Sequence, residues 1–571
     1  MIRLLLSYFS FVLLLGKRNY VLRCNAYSCP GLKKQAFTTQ AKHDVKQRSF
    51  LENIDIFLTK LQNPQEQLKN HTFLSGNYAP VSEEYVQVPV SVVEGNLPQT
   101  LNGMFSRNGP NHITTRPNQK RYHWFDGHAM LHNLRIENGK ATYTNQFVPS
   151  IRYQVEEELQ DEFFPTLGEY TGIWGLLKII FHPDMVKQRV PNLMTISPPN
   201  TNVLMYNKRF YCLNEANLPF ECQLLPDGTL KAVGYETFGG LLNYPVSAHP
   251  RIHTNGNDLL FHSYTTNTDL IERDGTMKVG RYSAKTNTLA SYFVPNTRKD
   301  YISFAHGLMN TENFMIVWDC SVHFDVGGMF DGRSFFRTKS NYNLRFGVIP
   351  ITATTKEEVI WMDTGKQGAI VHPINAWEDK DGTIVMWTPY CENLVIDLET
   401  DNFNKFNVVE FRMNPKTGKV SKKVIDNSMN VEFSVVRQTG TFTRYGYTAI
   451  QDGSIFVGLC IWDMTERSYK AIYFPNHEAG GEPIVAWDKE NDQTFVGTYT
   501  FNMKENQSYF VLYDGETGKL VCRLKMPSRI PYGFHGQWIS GDDLRIHFEH
   551  HNQQQSKHAF EVEESNVFSR S

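Results

Sequence analysis

Several common signals are missing from this chain. Cysteine is scarce, with eight in 571 residues, at positions 24, 29, 212, 222, 320, 391, 460 and 522 and no CxxC pair. That spacing fits neither a zinc module nor a disulfide-dense secreted scaffold. It reads as mostly reduced, buried thiols of an intracellular or organellar protein. Net charge is nearly absent too, with 57 Lys and Arg against 59 Asp and Glu. No basic patch stands out, so nucleic acid is not an expected partner. A GxSxG elbow, a Walker loop and a GxGxxG turn are all lacking, which leaves hydrolase, NTPase and dinucleotide readings without support. No hydrophobic run is long enough to span a bilayer. The N-terminal one reaches only from Leu4 to Leu15, short for a membrane span and the right length for a signal h-region.

Residues 1–48 also carry nine Lys or Arg and a single acid, Asp44. The acid-poor stretch after the apolar run has the composition of an organellar transit segment. Signal, transit or combined, the segment reads as a targeting leader outside the fold, addressed to a plastid, a mitochondrion or the ER. Beyond about residue 50 there is no Pro/Ser-rich or low-complexity linker. The expectation is therefore one large domain, 49–571, in place of the several that length alone suggests.

What the chain does have is short strands and turns. Aromatics reach 13%, a composition suited to strands and apolar pockets. Asp-Gly turns flanked by apolar alternation recur at PDGTLKAVGY (226–235), RDGTMKVGRYS (273–283), KDGTIVMW (380–387), QDGSIFVGL (451–459) and YDGETGKLV (513–521), each a strong hairpin signal. Helical periodicity is confined to residues 50–67 and 172–181. A sandwich series or a propeller with degenerate blades follows, since no WD or kelch signature repeats.

Four histidines choose between these architectures. His249, His306, His372 and His535 each sit among apolar or small residues, without a basic run beside them. Taken singly, each reads as a structural imidazole. Together they form an all-histidine set suited to iron, copper or zinc. Only inner strands converging on an axial channel bring such distant residues to one point, and a propeller has that geometry.

The segments NGMFSRNGPN (102–111) and HWFDGHAMLH (123–132) resemble the opening signature of the carotenoid cleavage dioxygenases, a family that includes a retinoid isomerase and stilbene-cleaving oxygenases. The resemblance continues through NTNVLMYNKRFYCLNEANLPF (200–220), HGLMNTEN (306–313), HPINAWED (372–379), GGEP (480–483) and GFHG (533–536). It implies an all-β fold, a seven-bladed β-propeller with loops and helices domed over the active-site face. It also implies iron held by His249, His306, His372 and His535, with Glu215, Glu432 and Glu482 as their orienting carboxylates. Four neutral imidazoles on an octahedral Fe(2+) leave two positions for O2 and water. Each imidazole binding through Nε2 needs an acceptor for its Nδ1–H, and three glutamates then leave the first histidine without a carboxylate.

The implied activity is O2-dependent cleavage of a C=C bond in a carotenoid or apocarotenoid into two carbonyl products. The alternatives are cleavage of a stilbene-type phenolic alkene, and a non-cleaving carotenoid-binding protein or isomerohydrolase. Trp124, Phe125, Phe304, Val371 and Phe534 are the expected walls around a lipophilic polyene. Two departures stand out: the usual FDGDGM reads FDGHAM here, and Val371 occupies a position that is often aromatic. The apolar stretch 172–181 reads either as a buried helix or as a peripheral contact with one membrane leaflet. His123, His128 and His132 are expected to serve the fold or line a channel. His547, His550 and His551 are expected on a solvated tail strand.

Overall fold

The Asp-Gly turns work as hairpin hinges because glycine enters the left-handed region without cost. Gly228 (φ 81°) turns strand Phe220–Leu224 back into Leu230–Tyr235, and Gly382 (φ 82°) turns Asn375–Glu378 into Ile384–Tyr390. The hairpins expected at 451–459 and 513–521 are likewise formed. These elements come from a computed structural model that describes residues 72–113, 122–164, 166, 186, 190, 193–264, 276–295, 297, 302–324, 336–338, 341–396 and 404–568. The leader, the helix expected at 50–67 and the apolar stretch 172–181 lie outside the described residues.

Five four-stranded antiparallel sheets occupy 202–235, 251–293, 309–367, 375–426 and 431–473; they are blades 2 to 6. A ten-stranded sheet contains the other two. Blade 7 spans 484–525, and blade 1 spans 103–147 with Gly536–Ser540 added at its inner edge. Strand Tyr85–Gly95 links their outer edges, pairing with Leu520–Lys525 on one side and Lys140–Phe147 on the other. The ring is shut by Gly536–Ser540 against Gly103–Asn111, in the register Gly103↔Ser540 to Arg107↔Gly536. Five blades plus two give the expected seven-bladed propeller.

Apolar faces of neighbouring blades supply the core. Leu260, Val317, Phe346, Met386 and Phe411 form one cluster across blades 3 to 5, and Phe105, Leu134, Phe510 and Leu524 another between blades 1 and 7. Fully buried Trp318 and Trp387 lie in the second strands of blades 4 and 5. Burying one such ring is worth several kcal/mol, of the order of 25 cal/mol per Å².

Strand direction alternates within a blade, so the connection entering an innermost strand shares a face with the loop between strands two and three. Among the described residues, two elements of the dome arise from such connections. Helix α1, Ile151–Leu159, is capped by Ser150 and follows blade 1. A three-stranded sheet of Ile302–Ser303, Val322–Phe324 and Phe336–Thr338 belongs to blade 4.

The C-terminal segment corrects one expectation. Residues 547–551 lie on helix α2, Gly541–Phe568, where His547 and His551 are buried. Among the described residues no helix is long and apolar enough to cross a membrane.

Candidate metal centre

Every blade sends one residue to the face bearing the dome. His249 precedes inner strand Arg251–Ile252 of blade 3, and His306 precedes Met309–Asn310 of blade 4. His372 precedes Asn375–Glu378 of blade 5, and His535 adjoins Gly536–Ser540 of blade 1. The other three blades bring carboxylates. Glu432 lies in the inner strand Val431–Val436 of blade 6, and Glu482 stands just ahead of Ile484–Asp488 in blade 7. Glu215 comes from the loop between the second and third strands of blade 2, Arg209–Leu213 and Phe220–Leu224.

The four histidines converge, each offering a ring nitrogen within 4.8 Å of the others. His249 Nε2 and His306 Nε2 are 2.9 Å apart. Two nitrogens each about 2.1 Å from one ion, at a right angle, lie about 3 Å apart, so this separation suits a shared metal. His372 Nε2 is buried and has no hydrogen-bond partner, as expected of a lone pair reserved for an ion. The donor set fits a transition metal such as iron, which accepts neutral imidazole.

Around this set the glutamates face the opposite ring nitrogens. His535 Nδ1 donates to Glu482 Oε1 at 2.7 Å, and Glu482 Oε2 accepts the Gly536 N–H at 2.8 Å. His372 Nδ1 donates to Glu432, whose Oε2 also accepts the Phe433 N–H at 2.6 Å. His306 Nδ1 stands 3.0 Å from Glu215 Oε1, yet neither atom makes an aligned hydrogen bond. The short distance records an attraction between the groups, and the poor alignment marks it as the weakest of the three supports. With Nδ1–H committed to carboxylates, Nε2 carries the lone pair that ligation needs. No carboxylate faces His249 among the described residues.

Burial is the largest influence on the protonation of His249, His372 and His535. It pushes His372 down to about 4, His535 to about 3, and His249 well below the ordinary imidazole range. These three rings are therefore neutral near pH 7, the state that binds metal. Burial also raises the Glu482 carboxyl to about 8, against the lowering by the Gly536 N–H. A divalent cation at the centre opposes that rise by direct attraction.

The expected wall residues fall into two groups. Phe534 packs against Trp124 (ring centroids 4.4 Å apart) and Phe125 (5.5 Å) beside His535. Phe304 stacks on the His306 ring at 5.4 Å and 26°. Val371 packs against the core of blades 3 to 5 and brings no ring to His372. Phe433 does, and sequence reading missed it. Its ring stacks on His372 at 5.3 Å and 23°, and meets His535 edge-on at 5.2 Å. Its φ of 53° goes with a register shift between Glu432 and Val435, a bulge that aims two successive side chains at the centre.

The remaining histidines of the opening signature serve the fold. His123 Nδ1 accepts the Phe125 N–H, His128 pairs with Glu156, and His132 bonds Tyr143. All six described cysteines are free and buried. Among the described residues, the four-histidine set is the one cluster with metal-holding geometry.

A family model described as retinal pigment epithelial membrane protein matches residues 78–540. A carotenoid 9,10(9',10')-cleavage dioxygenase of Pisum sativum is 28% identical over 522 residues, covering 83% of this chain and 91% of that one. A probable chloroplastic carotenoid cleavage dioxygenase of Arabidopsis thaliana is 27% identical over 498 residues, covering 82% and 81%. In fold, the chain is similar to the lignostilbene dioxygenase of Pseudomonas brassicacearum, with a TM-score of 0.69, 19% identity and coverage of 82% and 98%. A Synechocystis apocarotenoid oxygenase variant gives 0.66 at 21% identity, covering 81% and 98%. With a family match across nearly the whole propeller and relatives named as dioxygenases, the chain belongs to the retinal pigment epithelial membrane protein family, the carotenoid oxygenases, and is an oxidoreductase of the dioxygenase class.

Proposed function

We propose that this chain is an Fe(2+)-dependent, non-haem dioxygenase that cleaves a C=C bond of a carotenoid or apocarotenoid with O2, releasing two carbonyl products. The observation that carries this reading is the convergence of four imidazoles, one from each of four blades, on a single point. His249, His306, His372 and His535 would hold the iron, and Glu432 and Glu482 would fix two of the rings through Nδ1. Bound Fe(2+) would supply the activation of O2, which no side chain here provides. Trp124, Phe125, Phe304, Phe433 and Phe534 offer apolar faces that hold a polyene and exclude water. Carotenoid-cleaving relatives at 27–28% identity favour a polyene over a phenolic alkene, because the stilbene-type neighbour is similar in fold alone.

Anaerobic purification with Fe(2+), followed by product analysis against carotenoids, apocarotenoids and hydroxystilbenes, tests the proposal. Aldehyde or ketone apocarotenoids are expected, with about one iron per chain. Cleavage of the hydroxystilbene alone would reverse the substrate assignment. We further propose that 49–571 is one unit, that 1–48 is an organellar leader, and that 172–181 touches a membrane leaflet to collect the substrate. Removing 1–48 should then leave activity intact. Changing Ile173, Leu176 and Leu177 to Ser should lower liposome binding while sparing turnover in detergent.

A further inference from the structure

The four histidines are unequally supported from outside. His372 and His535 each hold a glutamate that also takes a backbone N–H. His249 faces no carboxylate among the described residues, and Glu215 stands misaligned beside His306. Something else must fix this pair, whose Nε2 atoms are only 2.9 Å apart.

The second strand of blade 3, Asp258–Tyr264, carries that support. Residues two apart on a strand share a face, so His262 and Tyr264 point the same way, toward the segment entering blade 4. His262 Nε2 donates to the Ala305 carbonyl at 2.5 Å, and the Tyr264 hydroxyl donates to the same oxygen. Ala305 immediately precedes His306. With its proton on Nε2, the ring leaves Nδ1 to accept from Ser247 Oγ at 3.2 Å. Ser247 lies two residues before His249, and its own N–H bonds the His262 carbonyl at 2.9 Å. His262 is fully buried, and burial holds its pKa down to about 4, so the neutral ring can bridge a donor and an acceptor at once.

We propose that His262, braced by Tyr264, is a positioning residue: a strut between the two histidine-bearing segments that sets the spacing of His249 and His306 at the metal centre. A tight turn adds to the need for it. The Ala305 N–H bonds back to the Ser303 carbonyl at 3.0 Å, so the backbone reverses sharply just before His306. Two donors on the Ala305 carbonyl lock the peptide that joins this turn to His306. The Phe304 ring stacked on His306 depends on the same peptide. The strut acts on backbone position where the glutamates act on ring orientation.

This inference rests on the four-histidine centre holding a metal, and its test separates the two. The full chain, metal-free and then loaded with Fe(2+) or Co(2+), is compared with His262→Phe, Tyr264→Phe and His262→Gln. Release of Fe(2+) to a chelator and the visible spectrum of the Co(2+) form are read, together with melting of the metal-free chain. His262→Phe should speed iron release by about 10–100-fold, the usual cost of losing an orienting partner, and should shift the Co(2+) bands. Tyr264→Phe, which keeps the ring and loses one of two donors, should act in the same direction by less than about tenfold. His262→Gln keeps a donor and an acceptor and should recover part of the loss. A lower melting temperature with unchanged iron release and unchanged Co(2+) bands would reduce His262 to ordinary blade packing and overturn the strut. If His262→Phe does not fold, Tyr264→Phe decides by the same two readouts. Failure of the unmodified chain to bind either ion overturns the metal centre, and the strut with it.

Discussion

At the scale of single residues, the centre ranks its own members. Replacing any one of His249, His306, His372 or His535 with Ala should abolish turnover and deplete iron, because the set has no spare imidazole. The glutamates should divide. Glu482→Gln breaks a carboxylate that holds both His535 and the Gly536 N–H, and should weaken iron retention by about 10–100-fold. Glu215 is half-exposed and misaligned, so Glu215→Gln should cost less than about tenfold. Chelator competition measures both, and equal losses would refute the ranking. The histidines were legible in the sequence because each stands in an apolar context just before a strand. Phe433 was not legible. Its place over His372 comes from a left-handed residue in a bulge, and no local composition marks a bulge.

At the scale of elements, hairpins were readable and the terminal helix was not. Asp-Gly turns fix their own backbone, so the strands around 226–235, 380–387, 451–459 and 513–521 could be placed without tertiary knowledge. Helix α2 starts from a side-chain cap: Ser540 Oγ accepts the Asp543 N–H at 3.2 Å and donates to the Asp543 carboxylate at 2.6 Å, as Ser at an N-cap does. The histidine-rich run beyond it looked like a solvated strand, yet His547 is fully buried. Its Nδ1 donates to the Lys208 carbonyl at 2.8 Å, and its Nε2 accepts the Leu224 N–H at 3.0 Å. The ring thus pins α2 to blade 2. His547→Ala leaves a buried N–H and a carbonyl without partners, which should destabilise the fold by about 2–4 kcal/mol. Urea unfolding would measure the loss, while iron content should stay unchanged because α2 contributes nothing to the centre.

At the scale of the whole molecule, the chain order explains both closure and acid sensitivity. The sequence pointed to a ring of degenerate blades through its turns, but their number came only from the family resemblance, since no repeat motif marks a blade. Building the ring buries imidazoles at the centre and between blades. Burial holds His262 and His372 to about 4, His535 to about 3, and His132 and His249 well below the ordinary range. The unfolded rings titrate near 6.5. Between about pH 6.5 and 4 the unfolded chain therefore binds more protons than the folded one, and stability falls as pH falls. Each ring contributes up to about 1.4 kcal/mol per pH unit in that window. Glu482, raised to about 8, works in the opposite direction: its contribution is fully present below the unfolded value near 4.5 and is lost as pH rises from there through 8. One carboxyl against five imidazoles does not reverse the sign. The melting temperature of the metal-free chain should drop steeply from pH 6.5 to 4.5, and iron should lift the whole curve because it binds only the neutral rings. A flat profile across that window would mean that these rings take up protons as readily in the folded chain as in the unfolded one, and charged imidazoles at His249, His372 and His535 could not hold a metal.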